Sequence, residues 1–240
     1  MRPIAIALTA LALAAATPAP AQELRQNARF DLEIRGITVG RLDFAGVENG
    51  RSYAVSGTMQ STGLAGMLRK MRYDANVRGT MTARGFAPQR YEQTGGIGKK
   101  YTEEIVVWDG GLPRIERQEP PREARATDAD PAQQRGTVDT LTALYATLRD
   151  VAPGQECQSS VIMYDGRYRM QLQISAPRTE AGGVSCAGEY IRLAGFTPEE
   201  MAERTRFPFT LRYEPTAEGR MRVTEVAMDS LYGRARLVRR

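Results

Sequence analysis

Histidine is missing from all 240 residues. Its absence removes the side chain most often used as general acid/base and as a zinc ligand, and with it Ser-His-Asp triads, Cys-His pairs and HExxH metal sites. Cysteine is scarce: Cys157 and Cys186 are the whole supply, 29 positions apart, and no CxxC exists to suggest a redox pair. In an oxidising compartment such a pair reads as one disulfide; two free thiols are the alternative. Dense charge runs are also lacking. The formal charge of +5 comes from basic residues scattered singly, with small clusters at Arg69-Lys70-Arg72, Lys99-Lys100 and Arg234, Arg236, Arg239 and Arg240. Without a run that tracks phosphates, nucleic-acid binding is not expected. Weak attraction to an anionic membrane surface or polysaccharide fits better.

No long apolar stretch occurs after the first residues, so no transmembrane segment is expected in the mature chain. The N-terminus is different. Arg2, the small and apolar run Ile4 to Ala16, and Ala19-Pro20-Ala21 form the three parts of a secretory signal peptide over residues 1–21, with cleavage expected between Ala21 and Gln22. The residue after that cut is not cysteine, which disfavours lipid anchoring. The expected product is a periplasmic chain of residues 22–240, carrying a net charge of about +4 once Arg2 is removed and large enough for one β-rich domain with a sizeable core.

Alternation of apolar and polar residues dominates this chain. Phe30, Leu32 and Ile34, then Tyr53 and Val55, then Tyr73, Ala75 and Val77, then Tyr168, Met170, Leu172 and Ile174, then Phe207, Phe209, Leu211 and Tyr213 each recur at period two, predicting strands with one dry and one wet face. Asp165-Gly166 predicts a two-residue hairpin between Ser160 to Tyr164 and Arg167 to Ser175. Glu48-Asn49-Gly50 and Asp109-Gly110-Gly111 predict further turns of an antiparallel meander. One principal helix is predicted near 137–149: Thr137 as cap, Val138, Leu141, Leu144, Tyr145 and Leu148 on one stripe, Asp150 and Pro153-Gly154 as the stop. Gly63 to Met71 predicts a short helix or irregular edge, and Thr197 to Glu203 a short helix capped by Thr197. The proline-rich, charged stretch 119–134 predicts a mobile surface loop. The expected fold is therefore mainly β, a single domain of curved antiparallel sheet, barrel-like or half-barrel.

Candidate chemistry is sparse. Asp128, Asp130 and Asp139 lack the dense spacing of an oxygen-ligand metal site, and Asp139 sits where a carboxylate complements a helix start. Glu103 and Glu104 adjoin in a strand, so they point to opposite faces. Gly95-Gly96-Ile97-Gly98-Lys99-Lys100 lacks phosphate-loop spacing and reads as a hairpin tip. Tyr53, Tyr73, Tyr91, Tyr101, Trp108, Tyr164 and Tyr168 fit core packing, or else the wall of a binding concavity. Met59, Met67, Met71, Met81, Met163 and Met170 offer soft apolar lining for a hollow beneath the helix. No catalytic, cofactor or metal residues are assigned.

Several pieces recur in a fixed order: Ile34-Arg35-Gly36-Ile37-Thr38-Val39-Gly40, Thr62-Gly63-Leu64, Gly85 to Tyr91, Asp139 to Leu144, Asp165-Gly166-Arg167-Tyr168, and Cys186 with Tyr190. Over roughly Ala28 to Val238 this order resembles the bacterial exported family of domain of unknown function 3108. The resemblance implies an exported, mostly antiparallel β protein with little helix; it brings no agreed activity and no catalytic residue. Its curved-sheet architecture is similar to that of periplasmic lipid or lipoprotein carriers. The function expected is non-enzymatic binding of a hydrophobic or amphipathic, lipid-like ligand in a curved-sheet cavity. Binding of a cell-envelope protein partner is the alternative, and a carboxylate-based hydrolase comes third.

Overall fold

The computed structural model describes residues 23–230 and 233–240. The expected signal peptide 1–21 and its expected cleavage junction Ala21/Gln22 lie outside the described residues. Thirteen strands follow one another along the chain: β1 (Leu24–Ile34), β2 (Ile37–Asn49), β3 (Ser52–Ser61), β4 (Met71–Thr82), β5 (Gly85–Ile97), β6 (Lys100–Asp109), β7 (Leu112–Glu119), β8 (Ser160–Tyr164), β9 (Arg169–Glu180), β10 (Gly183–Ala194), β11 (Arg206–Pro215), β12 (Met221–Ser230) and β13 (Gly233–Arg239). Three helices interrupt them: α1 (Gly63–Leu68), α2 (Thr140–Leu148) and α3 (Pro198–Glu203). All strands belong to one antiparallel sheet ordered β7-β6-β5-β4-β3-β2-β1-β13-β12-β11-β10-β9-β8. Two meanders are thus joined through their outermost chain segments, because β1 pairs with β13, placing Phe30 opposite Arg239 and Leu32 opposite Leu237.

The period-two reading accounts for the inner face. Leu42 and Phe44 of β2, Tyr53 and Val55 of β3, Leu211 and Tyr213 of β11 are buried, while Asp43, Ala54 and Arg212 between them are not. Helix α2 lies against this face, and Leu141, Tyr145 and Leu148 join Phe30, Tyr91, Val106, Ile174 and Val223 in one core cluster. Two glycines make the approach possible: a Cβ on Gly46 would stand 2.3 Å from the Tyr145 ring, and one on Gly57 2.7 Å from Leu141. Any larger side chain at Gly46 would displace the helix. The helix therefore occupies the space that the sequence suggested as a hollow beneath it.

The sheet does not close by strand pairing. Instead the segment 120–138 crosses between its edges. Gly136 N donates to Gly111 O at 2.7 Å, and Trp108 Nε1 donates to Thr137 O at 2.9 Å on the β6–β7 side. On the β8 side, Val138 N donates to Ile162 O at 3.0 Å and Tyr164 N to Val138 O at 2.9 Å. Arg167 Nη2 adds a bond to Glu123 O at 2.6 Å. Such cover also removes an open edge that would otherwise invite another strand.

Two local expectations are corrected. The helix opens at Thr140, not beside Thr137: Asp139 is the N-cap, accepting from Thr142 N at 2.8 Å, while Thr137 donates its hydroxyl to Gln134 O and Val138 is drawn into the bridge to Met163. Backbone pairing across the seam outcompetes one more helical turn. The β8–β9 connection spans four residues, since Tyr164 pairs with Arg169, because the Asp165 carboxylate accepts from both Arg167 N and Tyr168 N and closes a wider side-chain turn. Cys157 and Cys186 form a disulfide, tying the segment after α2 to β10. For a loop of this length the chain-entropy model gives about 3.6 kcal/mol.

Candidate functional site

A cleft of about 500 Å³ opens at the end of the sheet where α2 finishes, within the size range of small-molecule sites. Four separate turns and ends build it. Glu48 lies at the end of β2, Arg84 in the β4–β5 turn and Phe86 at the start of β5, Ala146 in the last turn of α2 and Arg149 at its C-cap, and Arg220 in the β11–β12 turn, with Val161 and Ile162 of β8 and Tyr213 of β11 as apolar wall. Alternation places these side chains: Tyr213 is at an inward position of its strand, and Arg149 follows Tyr145 by one helical turn, so it leaves the core on the same side.

Three arginines share this cleft with one carboxylate. Glu48 Oε1 accepts from Tyr145 OH at 2.8 Å and lies 3.6 Å from Arg149 Nη1, so its charge is already engaged. The Arg149 guanidinium sits 5.4 Å above the Phe86 ring, a stacked arrangement that holds the plane in place. Arg220 Nη2 donates to Asp150 O at 2.6 Å. The Nε atoms of Arg149 and Arg220 are buried with no hydrogen-bond acceptor among the described residues. The cleft thus sets three guanidinium groups and one engaged carboxylate beside an apolar wall.

A second feature lies under the crossing segment. Glu104 faces inward and is buried, and its partner Glu103 faces out against Arg117 at 3.3 Å, as adjacency in a strand requires. Burial pushes the Glu104 carboxyl up to about 7, opposed by Arg122 and reinforced by Asp165; Arg122 Nη2 stands 3.7 Å from Oε2, and Oε1 has no hydrogen-bond partner. Below its unfolded value near 4.5 the group is protonated in both states. As pH rises towards 7 the folded chain retains a proton that the unfolded chain has released, so stability falls across that window. Urea titrations should show a loss on the order of 2 kcal/mol between about pH 5 and pH 8, and Glu104→Gln should flatten it. An unchanged slope in that variant would assign the effect elsewhere.

The acidic trio weighed as a metal site is dispersed. Asp128 accepts from Arg125 N and pairs with Arg167, Asp130 caps the 3-10 turn Pro131–Gln133, and Asp139 caps α2. Burial raises the Asp139 carboxyl to about 6, against the two bonds from Thr142. Of the aromatic residues, Tyr53, Tyr91 and Tyr164 are core, whereas Tyr101 is exposed. Met67 likewise points to solvent, so neither lines an interior hollow. Gly95 and Gly96 end β5, where any Cβ would strike the backbone of Arg72 and Lys100; close strand approach, not anion binding, explains them. The sequence reading missed Arg84, Arg149 and Arg220 as a group. Isolated arginines at turns carry no local signal, and only the strand order brings them together.

The fold defines a class: a curved antiparallel sheet wrapped on one buried helix, barrel-like but not closed, with a cleft at one end. The model of the family described as "Protein of unknown function (DUF3108)" matches residues 29–200, and the chain belongs to that family. No curated protein matches. Among solved structures, the "Beta-barrel-like Protein of Domain of Unknown Function DUF1849 from Brucella abortus" aligns at 10% identity with a TM-score of 0.46, covering 92% of this chain and 96% of that one. No helix among the described residues is long and apolar enough to cross a membrane.

Proposed function

We propose that this is an exported, non-catalytic protein of the bacterial periplasm that binds an amphipathic anion, such as a fatty acid or another lipid-like carboxylate or phosphate, in the cleft at the end of α2. One observation carries the reading: three arginines and a single carboxylate, already bonded to Tyr145 and Arg149, line a cleft of about 500 Å³ beside the apolar wall of Val161 and Ile162. Export is supported by the leader pattern of residues 1–21 and by the cysteine pairing, which suits an oxidising compartment. The only carboxylate in the cleft, Glu48, is bonded to Tyr145 and Arg149, an arrangement suited to holding an arginine in place. Capture of an envelope protein along a sheet edge has less support, because Val138 already occupies the outer side of β8.

Native mass spectrometry of protein taken from the periplasm, followed by displacement titration with a fluorescent fatty acid, tests this. The anion should bind at a one-to-one ratio. Arg149→Gln should weaken it about tenfold, as expected for loss of one charge-assisted contact, and Ala146→Trp, which fills the cleft, should abolish it. Wild-type protein that neither carries nor takes up such a molecule would sink the proposal.

A further inference from the structure

The end of the sheet opposite the cleft carries a feature that core packing leaves unexplained. In α1, Leu64, Met67 and Leu68 stand at i, i+3 and i+4, the spacing that puts three apolar side chains on one helix face. Ordinarily such a face is turned to the core. Here it faces solvent: the three are 71%, 83% and 89% exposed, and α1 contributes no buried residue. The helix is nevertheless anchored, since Thr62 N donates to Val39 O at 3.0 Å and Gly66 N to Thr62 O at 3.1 Å. Ile37, which opens β2 at the same end of the sheet, is also exposed.

The charge around this tip is mainly positive, and the Asp74 carboxylate that shares it is bonded to Arg72 at 2.7 Å. Arg69 and Lys70 follow α1 directly, and the β5–β6 turn brings Lys99 and Lys100 alongside, joined through Gly98 N donating to Lys70 O at 2.7 Å. None of these four forms an ion pair among the described residues. Between the start of β4 and the β5–β6 turn runs a shallow groove of about 390 Å³, lined by Lys70, Arg72, Asp74, Lys99, Lys100 and the exposed Tyr101. The acidic helix α3 emerges at the same end but belongs to the β10–β11 connection, with four strands intervening, a path of about 24 Å along the sheet at ordinary strand spacing.

We propose that this tip docks the protein on an anionic phospholipid bilayer, with Leu64, Met67 and Leu68 entering the interface and Lys70, Lys99 and Lys100 resting among the phosphates. Apolar side chains at the leading point, a collar of unpaired cations behind them and an aromatic at headgroup level are the chemistry of interfacial anchoring. A second copy of the chain suits the surface less, because a two-fold contact would set the lysine collar against itself. The inference is independent of the cleft at the other end.

Flotation of the purified protein with vesicles tests it, using phosphatidylcholine alone and phosphatidylcholine mixed with phosphatidylglycerol. Wild-type protein should float with the phosphatidylglycerol vesicles, less with the neutral ones, and be released by salt. The combined Leu64→Ser, Met67→Ser and Leu68→Ser variant should lose at least about tenfold in partitioning with its circular dichroism and melting midpoint unchanged, since none of the three is buried. Lys70→Gln with Lys99→Gln and Lys100→Gln should bind both compositions alike. Arg149→Gln should float as wild type, which separates this surface from the cleft. Wild-type protein that ignores both vesicles at low salt, or a serine variant that floats equally well, would overturn the proposal. So would self-association in light scattering that the serine changes abolish, if no vesicle binding accompanies it.

Discussion

Tyr145→Ala is expected to destabilise the protein by about 4 to 5 kcal/mol, at the upper end for a truncated aromatic. The ring is fully buried on α2 and meets Phe44 and Phe86 edge-on at centroid distances of 5.7 and 5.6 Å. Its removal leaves a cavity that cannot collapse easily, because the facing wall is the backbone of Gly46, which has no side chain to move in. The hydroxyl is a smaller part: Tyr145→Phe should cost about 1 to 2 kcal/mol through the lost bond to Glu48. Gly46→Ala approaches the same contact from the other side and should also destabilise. Urea unfolding followed by far-ultraviolet circular dichroism measures all three. A loss below about 1.5 kcal/mol for Tyr145→Ala, less than one well-buried side chain normally contributes, would mean that α2 does not fill the sheet's interior in solution.

Asp150→Ala is expected to cost about 4 kcal/mol, because it strands a buried cation. Asp150 Oδ2 accepts from Arg222 Nε at 3.0 Å and Nη2 at 2.9 Å, and Oδ1 accepts from Arg239 Nη1 at 2.7 Å. Its backbone is held as well: its N donates to Gln26 Oε1 at 2.6 Å and its O accepts from Gln26 Nε2 at 3.2 Å. One residue thereby fastens the end of α2 to β1, β12 and β13, where the two meanders join. The side chain of Arg239 is only 9% exposed and lies over the Phe30 ring, and burial pulls its pKa below the usual arginine value. Without Asp150 that charge has no counterpart. Adding Arg239→Met to Asp150→Ala should recover most of the loss, since an apolar side chain of similar length suits the same space. A double variant no more stable than the single one would show that the cost does not come from the stranded Arg239 charge.

Much of the fold was legible because a pleated strand writes its environment locally. Phe207, Phe209, Leu211 and Tyr213 declare a dry face within seven residues, and no knowledge of their partners is needed. The class of fold and the opposite fates of Glu103 and Glu104 follow from the same two-residue period, and the short α3 from its Thr197 cap and the proline behind it. The helix start was misplaced by three residues because Val138 is apolar at helical spacing, yet the seam bridge to Met163 claims its backbone. The candidate sites were far less visible. Arg84, Arg149 and Arg220 are isolated turn residues, and Lys70 and Lys99 are separated by a hairpin; nothing near any of them marks a site.

What the sequence determined by itself is the material of the protein: strands with one wet and one dry side, a helix apolar enough to be enclosed, two cysteines suited to each other, and a chain without histidine chemistry. Tertiary structure alone decided that β1 would lie against β13, that α2 would be enclosed with Tyr145 over Gly46, that Glu104 would lose its solvent, and that cations would gather at both ends of the sheet. The reason is range. Side-chain alternation is fixed by pleat geometry between neighbours, whereas the joining of β1 to β13, burial of a lone carboxyl and the meeting of separate turns are set by contacts between residues distant in sequence, which no local pattern encodes.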